Sequence, residues 1–248
     1  MLTVSFGKNP DFLSYGGSFV FTLENFGEIL TNESVRLLNY LRNSILISGL
    51  SALFATVFAG LSAYSITRFS FPGRILLPVL LLAVSMFPQI SIAGYMFKFM
   101  SSLEWINTYN ALVFPYTALG LPLALWIMLS YFSRISIELD KAALVDGAGR
   151  LMILRKIIFP IALPGVFSAF ILVFIYSFNE FLFSLMLTID YKARTVPVSI
   201  ALFEGLHGQI PWGYIMASAV IATIPIIILV VAAQKYVIEG LSRGAVKG

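Results

Sequence analysis

Five runs of this chain carry no Asp, Glu, Lys or Arg: residues 43–67, 75–97, 105–133, 157–179 and 205–234. Each is longer than the roughly 20 residues an α-helix needs to cross the ~30 Å hydrocarbon core of a bilayer. A soluble domain of ordinary composition carries about 25% charged residues. Here only 11% of 248 residues are charged and 59% are hydrophobic. The runs are rich in Leu, Ile, Phe and Ala, which fits helices rather than the short alternating strands of an outer-membrane barrel. The chain therefore reads as an all-α, polytopic membrane protein. Five spans and their connections take up nearly the whole length, which leaves no room for a separate soluble catalytic domain.

Residue classes narrow the chemistry. There is no cysteine, so disulfides, thiolate metal sites and cysteine nucleophiles are excluded. His207 is the only histidine, and no multi-histidine metal site can be built around it. No nucleophile–base set stands out as catalytic, and no G-x-x-x-x-G-K-[ST] loop is present to cradle nucleotide phosphates. The net charge of +4 and pI near 9.3 are read as basic residues held at a membrane surface, not as a nucleic-acid footprint. The start does not read as a clean signal peptide, because Lys8 and Asp11 interrupt it before any adequate apolar stretch.

The spans are expected at about 41–66, 75–97, 108–132, 157–178 and 214–236. The first holds Gly49, Ala52, Ala55, Ala59 and Ala63, a small-residue ridge suited to close helix contact in lipid. Pro88 lies inside the second and is predicted to bend or break it. Pro115 and Pro122 lie inside the third, and Pro160 and Pro164 in the first turns of the fourth. The uncharged stretch 181–189 is too short to span, and reads as an extension of the fourth helix or a partial hairpin.

Basic residues set the orientation. Ten of the 16 fall in one set of connections: Arg68, Arg74, Arg134, Lys141, Arg150, Arg155, Lys156, Lys235, Arg243 and Lys247. Lys8, Arg36, Arg42, Lys98, Lys192 and Arg194 make up the opposite set. The positive-inside rule puts the first set and the C-terminus in the cytoplasm and residues 1–40 outside.

Residues 134–160 form the longest charged connection. Residues 137–146 hold good helix formers and no Pro or Gly, and the Glu138–Lys141 spacing supports a short surface helix. Gly147 and Gly149 free the backbone to turn, and Leu151, Leu154 and Ile158 resume a helical apolar face. Periodicity leaves two readings open. One is an amphipathic helix lying in the membrane interface; the other is a short helix that another surface approaches across its alanines.

This loop resembles the signature loop of ATP-binding cassette (ABC) importer permeases: Glu-Ala-Ala, three residues, Gly, nine residues, then Ile-x-Leu-Pro. Here Ala142, Ala143, Gly147 and Pro160 match, while Lys141 and Phe159 depart from the pattern. Asn43 and Ser44, the stretch from Arg68 to Arg74, Asn179-Glu180-Phe181, Pro211-Trp212-Gly213 and the tail from Glu239 to Gly248 are similar to the smaller inner-membrane permease subunit of the carbohydrate, maltose-type family. That family usually has six spans and five are visible here, so the resemblance implies a first helix that is either absent or upstream of residue 1. It also implies a type I ABC importer transmembrane domain, the MetI-like permease fold. Residues 1–40 would then be an external loop, 41–236 the permease domain with a cytoplasmic coupling loop at 134–156, and 237–248 a cytoplasmic tail.

The same resemblance implies the partners and roles. A sister permease subunit, two ATP-binding subunits and an extracytoplasmic solute-binding protein are expected in a bacterial or archaeal cytoplasmic membrane. No cofactor is expected in this chain; ATP and Mg belong to the partner ATPase. Glu138, Lys141, Ala142, Ala143, Asp146 and Gly147 would form the ATPase-coupling element. Gln89, Tyr176, Phe178, Asn179 and Glu180 are candidates for the substrate path, with Glu180 otherwise read as a marker of the helix end. His207, Gln209 and Trp212 are candidates for contact with the binding protein, or an ordinary polar loop with a Trp anchor. A sugar is the expected substrate. A permease for a polyamine or phosphonate is the main alternative. A stand-alone secondary transporter is disfavoured, because no internal repeat is visible and no span holds a clear buried charge.

Overall fold

The computed structural model describes residues 2–7, 21–32, 35–203 and 212–245, with backbone alone for 235–245. Among them the regular structure is helical. Helices α1 (Leu2–Ser5) and α2 (Glu24–Thr31) precede the long α3 (Leu37–Arg68). Then come α4 (Leu76–Ser85), α5 (Gln89–Ser102), α6 (Tyr109–Phe132), α7 (Ile137–Val145) and α8 (Arg150–Ile153). A π-helical turn (Leu154–Ile158) leads into α9 (Phe159–Ile161) and α10 (Leu163–Phe178). The short α11 (Leu182–Leu187) and α12 (Val196–Ala201) and the long α13 (Trp212–Ala245) complete the order.

By length and composition, α3, α6 and residues 212–234 of α13 can each cross a bilayer. Two bent pairs raise the number to five if each pair is one span: α4 with α5, and 150–161 with α10. The first pair turns by 92° across residues 86–88, where the sequence predicts a break at Pro88. The second turns by 78° at Ala162. Pro160 lacks the N–H that would bond the Lys156 carbonyl, and Pro164 lacks the one that would bond Pro160. The hydrogen bonding widens to the π pattern just before Pro160, and the helix then turns. By contrast α6 runs unbroken through Pro115 and Pro122. The stretch after α10 is not a continuous extension of it but a separate short helix, α11.

The long helix α3 is built inside out relative to a soluble helix. Its buried stripe is Ser48, Ser51, Ala52, Ala55, Thr56, Ala59 and Ala63, and its exposed face is Leu46, Leu50, Leu53, Phe54, Val57, Phe58 and Leu61. Large apolar side chains have no reason to hide from lipid tails. Helices associate in a bilayer by close backbone approach over small residues. The four alanines of the expected ridge thus lie on the buried face, while Gly49 is half-buried.

The chain divides into two compact units. One comprises Met1–Ile47, Ala93–Leu112 and Phe178–Ile228. In it Ile29, Leu37 and Ala217 form a core with Phe26, Val35, Tyr214 and Ile221 packed on it. The other comprises Ser48–Ile92, Val113–Ser177 and Leu229–Gly248. Here α6 and α10 touch at two glycines. A Cβ on Gly120 would lie 2.5 Å from Val173 Cγ1, and one on Gly165 would lie 2.4–2.8 Å from the Tyr131 ring.

Gly165→Ala forces a rigid ring to move, and overpacking of this kind costs about 1–3 kcal/mol. Gly49→Ala, with nothing within 4 Å of its new Cβ, should be neutral or slightly stabilising through helix propensity. Thermal unfolding of the two detergent-solubilised variants measures the difference; equal shifts would count against the close contact.

Candidate functional site

The connection between α6 and α10 is a capped, two-sided element. Ser136 opens α7 by accepting the Glu138 N–H at 3.3 Å on its Oγ, an N-cap that satisfies an otherwise orphaned donor. Glu138 and Asp140 fall in the first turn, where negative charge complements the helix dipole. The helix ends in a Schellman arrangement. The Gly147 N–H donates to the Leu144 carbonyl at 3.1 Å and the Ala148 N–H to the Ala143 carbonyl at 2.9 Å. Gly147 itself sits at φ +84°, the left-handed conformation that glycine adopts without penalty. The sequence-expected turn at Gly147 is therefore a helix stop of defined direction.

The expected coupling residues divide between two faces. Glu138, Lys141, Ala142 and Asp146 are exposed, and Val145 is 88% exposed. Leu144 and, beyond the turn, Leu151 and Met152 are exposed as well. Ala143, at 7% exposure, packs against its own chain. Only Ala142 of the alanine pair offers its methyl outward. Lys141 Nζ lies 2.9 Å from Glu138 Oε1. The charge reversal at position 141 is thus answered within the helix, by an exposed pair contributing only ~0–1 kcal/mol.

The inner face of α7 is fastened by a residue absent from the sequence expectation. Asp140 Oδ2 lies 3.1 Å from Arg68 Nε, with both side chains 3% exposed. Arg68 Nη2 also donates to the Ile135 carbonyl at 2.9 Å. Four residues earlier on α3, the Tyr64 hydroxyl lies 3.5 Å from the Arg150 carbonyl oxygen, and the Arg150 guanidinium sits over the Phe69 ring at 5.4 Å. One signal for Asp140 was available in the sequence: it precedes Ala143 by three, so the two share a helix face.

The candidate path residues fall in different environments. In one unit, Gln89 opens α5 directly after the Pro88 break, and its Nε2 donates to the Tyr176 hydroxyl. In the other, Phe178 is buried and Asn179 is exposed. Glu180 is 7% exposed. Its carboxylate accepts the Phe183 N–H at 3.0 Å on Oε1 and the Ser184 N–H at 3.3 Å on Oε2. Those are first-turn donors of α11, so Glu180 caps that helix. Trp212 begins α13. His207 and Gln209 lie outside the described residues.

Sequence reasoning did not find the polar ties that hold residues 187–196. Asn43 Nδ2 donates to the carbonyls of Tyr191 at 2.8 Å and Arg194 at 3.0 Å. Its Oδ1 accepts from Tyr109, so every polar atom of this buried amide is used. Ser44 Oγ accepts the Val196 N–H at 2.8 Å. Asn107, itself at φ 62°, donates Nδ2 to Asp190 Oδ1 at 2.9 Å and accepts the Ile189 N–H at 3.0 Å. The Asn107 amide, then the Lys192 backbone N–H, hold the Asp190 carboxyl below its ordinary value of 3.8.

Gly147→Ala meets no atom within 4 Å, so its effect is conformational alone: a non-glycine residue in the left-handed region costs ~1–2 kcal/mol, read as lowered thermal stability. Asp190 gives a pH signature. Its folded-state pKa is depressed, so its contribution is present above the unfolded value and is lost as pH falls through the folded one. Amide exchange at 189–195 should be flat from pH 5 to neutrality on the time-corrected scale and quicken in acid below the ordinary carboxylate pKa of about 3.9. Asp190→Asn should remove that acid step.

Comparison with known proteins places this geometry. A family profile described as "Binding-protein-dependent transport system inner membrane component" matches residues 44–243. The trehalose/maltose transport system permease protein MalG of Thermococcus litoralis is 51% identical over 249 residues, covering 100% of this chain and 90% of that one. The trehalose transport system permease protein SugB of Mycobacterium tuberculosis is 40% identical over 207 residues, covering 83% and 76%. Among solved structures, a bacterial ABC transporter involved in import of the acidic polysaccharide alginate superimposes with a TM-score of 0.76 at 19% identity, covering 95% of this chain and 88% of that one. The chain belongs to the family of inner-membrane components of binding-protein-dependent transport systems.

Proposed function

We propose that this chain is the permease subunit of an ABC importer that carries a sugar, of the maltose or trehalose class, inward across a bacterial or archaeal cytoplasmic membrane. The supporting observation is the 51% identity over the full chain to a trehalose/maltose permease. ATP and Mg are handled by a separate pair of ATP-binding subunits. A sister permease completes the pore, and an extracytoplasmic binding protein delivers the solute. The excess of basic residues on one set of connections supports a cytoplasmic coupling loop and C-terminus, with residues 1–40 outside.

The coupling loop supports this reading physically. Val145 and Leu151, at 88% and 74% exposure, are large apolar groups on a short connection that also carries Lys141, Arg150, Arg155 and Lys156. Such a surface fits a protein partner, with apolar anchors inside a charged rim. Glu138, Lys141, Ala142 and Asp146 line the docking face, and Gly147 sets the exit. Ala143 acts from behind by allowing α7 to lie close to its own subunit. For the solute, Gln89 with Tyr176, and Asn179, are the polar candidates. Glu180 holds α11 in place beside them in sequence, and Trp212, with His207 and Gln209, is assigned to the binding-protein side.

The test is reconstitution with the sister permease, the ATP-binding subunits and the binding protein in proteoliposomes. Uptake of labelled maltose or trehalose dependent on ATP is expected. No uptake of either, with uptake of a polyamine instead, would overturn the sugar reading. Val145→Glu buries a charge in the docking face and should lower copurification of the ATP-binding subunits by about tenfold or more, matching a hot-spot loss of ≥ 1.4 kcal/mol. Unchanged copurification would remove α7 from that interface.

A further inference from the structure

We propose that the Arg68–Asp140 ion pair makes α3 a receiver of the motion delivered at α7, so that Arg68 and Asp140 are positioning residues for coupling. The inference rests on the permease reading above and concerns a route which the chain connectivity does not provide. Helix α7 is joined through the backbone to α6 and, by way of α8, to α10. It has no such connection to α3: Arg68 and Ile135 are 67 residues apart in sequence. Whatever α7 conveys to α3 passes through side chains.

Those side chains grip α7 on two sides. The Arg68 guanidinium reaches Asp140 Oδ2 at 3.1 Å and the Ile135 carbonyl at 2.9 Å, just before α7 and in its first turns. Tyr64, one helical turn earlier, approaches the Arg150 carbonyl, and Phe69 lies under the Arg150 guanidinium. The last turn of α3 thus holds the segment both ahead of α7 and beyond the Gly147 turn. The opposite side of α7, with Lys141, Ala142 and Val145, is exposed.

A buried ion pair is poor evidence for stability, since an apolar pair of similar volume often does as well. What the guanidinium adds is direction: one planar group faces Asp140 across an ion pair while its Nη2 donates to the Ile135 carbonyl, two attachments that packing alone does not supply. The backbone route to α10 is interrupted by the π turn at Leu154–Ile158 and the 78° bend at Ala162. Features of that kind mark places where a helix yields. The side-chain route to α3 contains no such break, because α3 is helical without interruption to Arg68.

The test uses the whole reconstituted importer with maltose as probe. The double variant Arg68→Met with Asp140→Leu removes both charges together, so no lone charge is left buried. It should copurify with the ATP-binding subunits at the wild-type level and still hydrolyse ATP. Maltose imported per ATP should fall about fivefold or more, the low end of a typical coupling free energy between sites. The nucleotide-dependent change in hydrogen exchange at 60–69 should vanish while that at 150–160 persists. Arg68→Lys keeps the charge but loses the planar group, and should fall between the two. A wild-type import ratio together with a wild-type exchange response in the double variant overturns the proposal. If the double variant does not assemble, Arg68→Lys decides by the same two readings. A wild-type importer that takes up neither maltose nor trehalose counts against the sugar reading instead, and the exchange comparison, which needs only nucleotide, still decides the role of the pair.

Discussion

Close approach of helix backbones is the condition on which this structure rests. In lipid two helices gain little by hiding leucines from each other; they gain by dispersion contact over short side chains. That is why Ala52, Ala55, Ala59 and Ala63 face inward on α3 while leucines and phenylalanines of the same helix face out. It is also why α6 and α10 meet at Gly120 and Gly165, where the next heavy atoms lie within the space of a methyl group. A packing built this way has little slack.

The bilayer's other demand, that backbone polar groups be satisfied, explains where the chain departs from straight helices. The turns at residues 86–88 and at Ala162 coincide with prolines. The connection between α11 and α12 is held by side-chain amides and hydroxyls instead of a helix ladder. Asn43, Ser44 and Asn107 take up backbone groups between Leu187 and Val196, and Glu180 takes up those that open α11. None of these is an idle polar group in an apolar setting.

The connection between α6 and α10 sits where these two rules relax. Its helix is set by Ser136 at one end and the Gly147 stop at the other, with Arg68 and Asp140 tying its inner face. The result is a short element fastened on one side and open on the other.

How much of this was legible in advance varied with the kind of interaction. The five uncharged runs implied the spans, because hydrophobic thickness acts on length and composition alone. The alanine ridge of α3 was readable from its spacing, and the start and turn of α7 from its helix formers and Gly147, because capping and left-handed backbone are local matters. The prolines were only half legible. Pro88 coincides with a break, whereas Pro115 and Pro122 lie in a continuous helix, since neighbouring helices decide whether a missing hydrogen bond bends the chain. Glu180 could be a solute ligand or a helix-end marker until its two backbone partners were seen. Ala142 and Ala143 look alike in sequence, yet one is exposed and the other buried. Arg68 and Asp140 carried no local sign of pairing across 72 positions. The amino-acid order by itself determined that the chain is helical and lipid-embedded, because those properties depend on hydrophobic length and nearest neighbours. Tertiary structure alone decided which face of α7 is free, which carboxylate is a cap and which is an anchor. Each of those outcomes depends on contacts between residues far apart in the chain, and no local pattern encodes them.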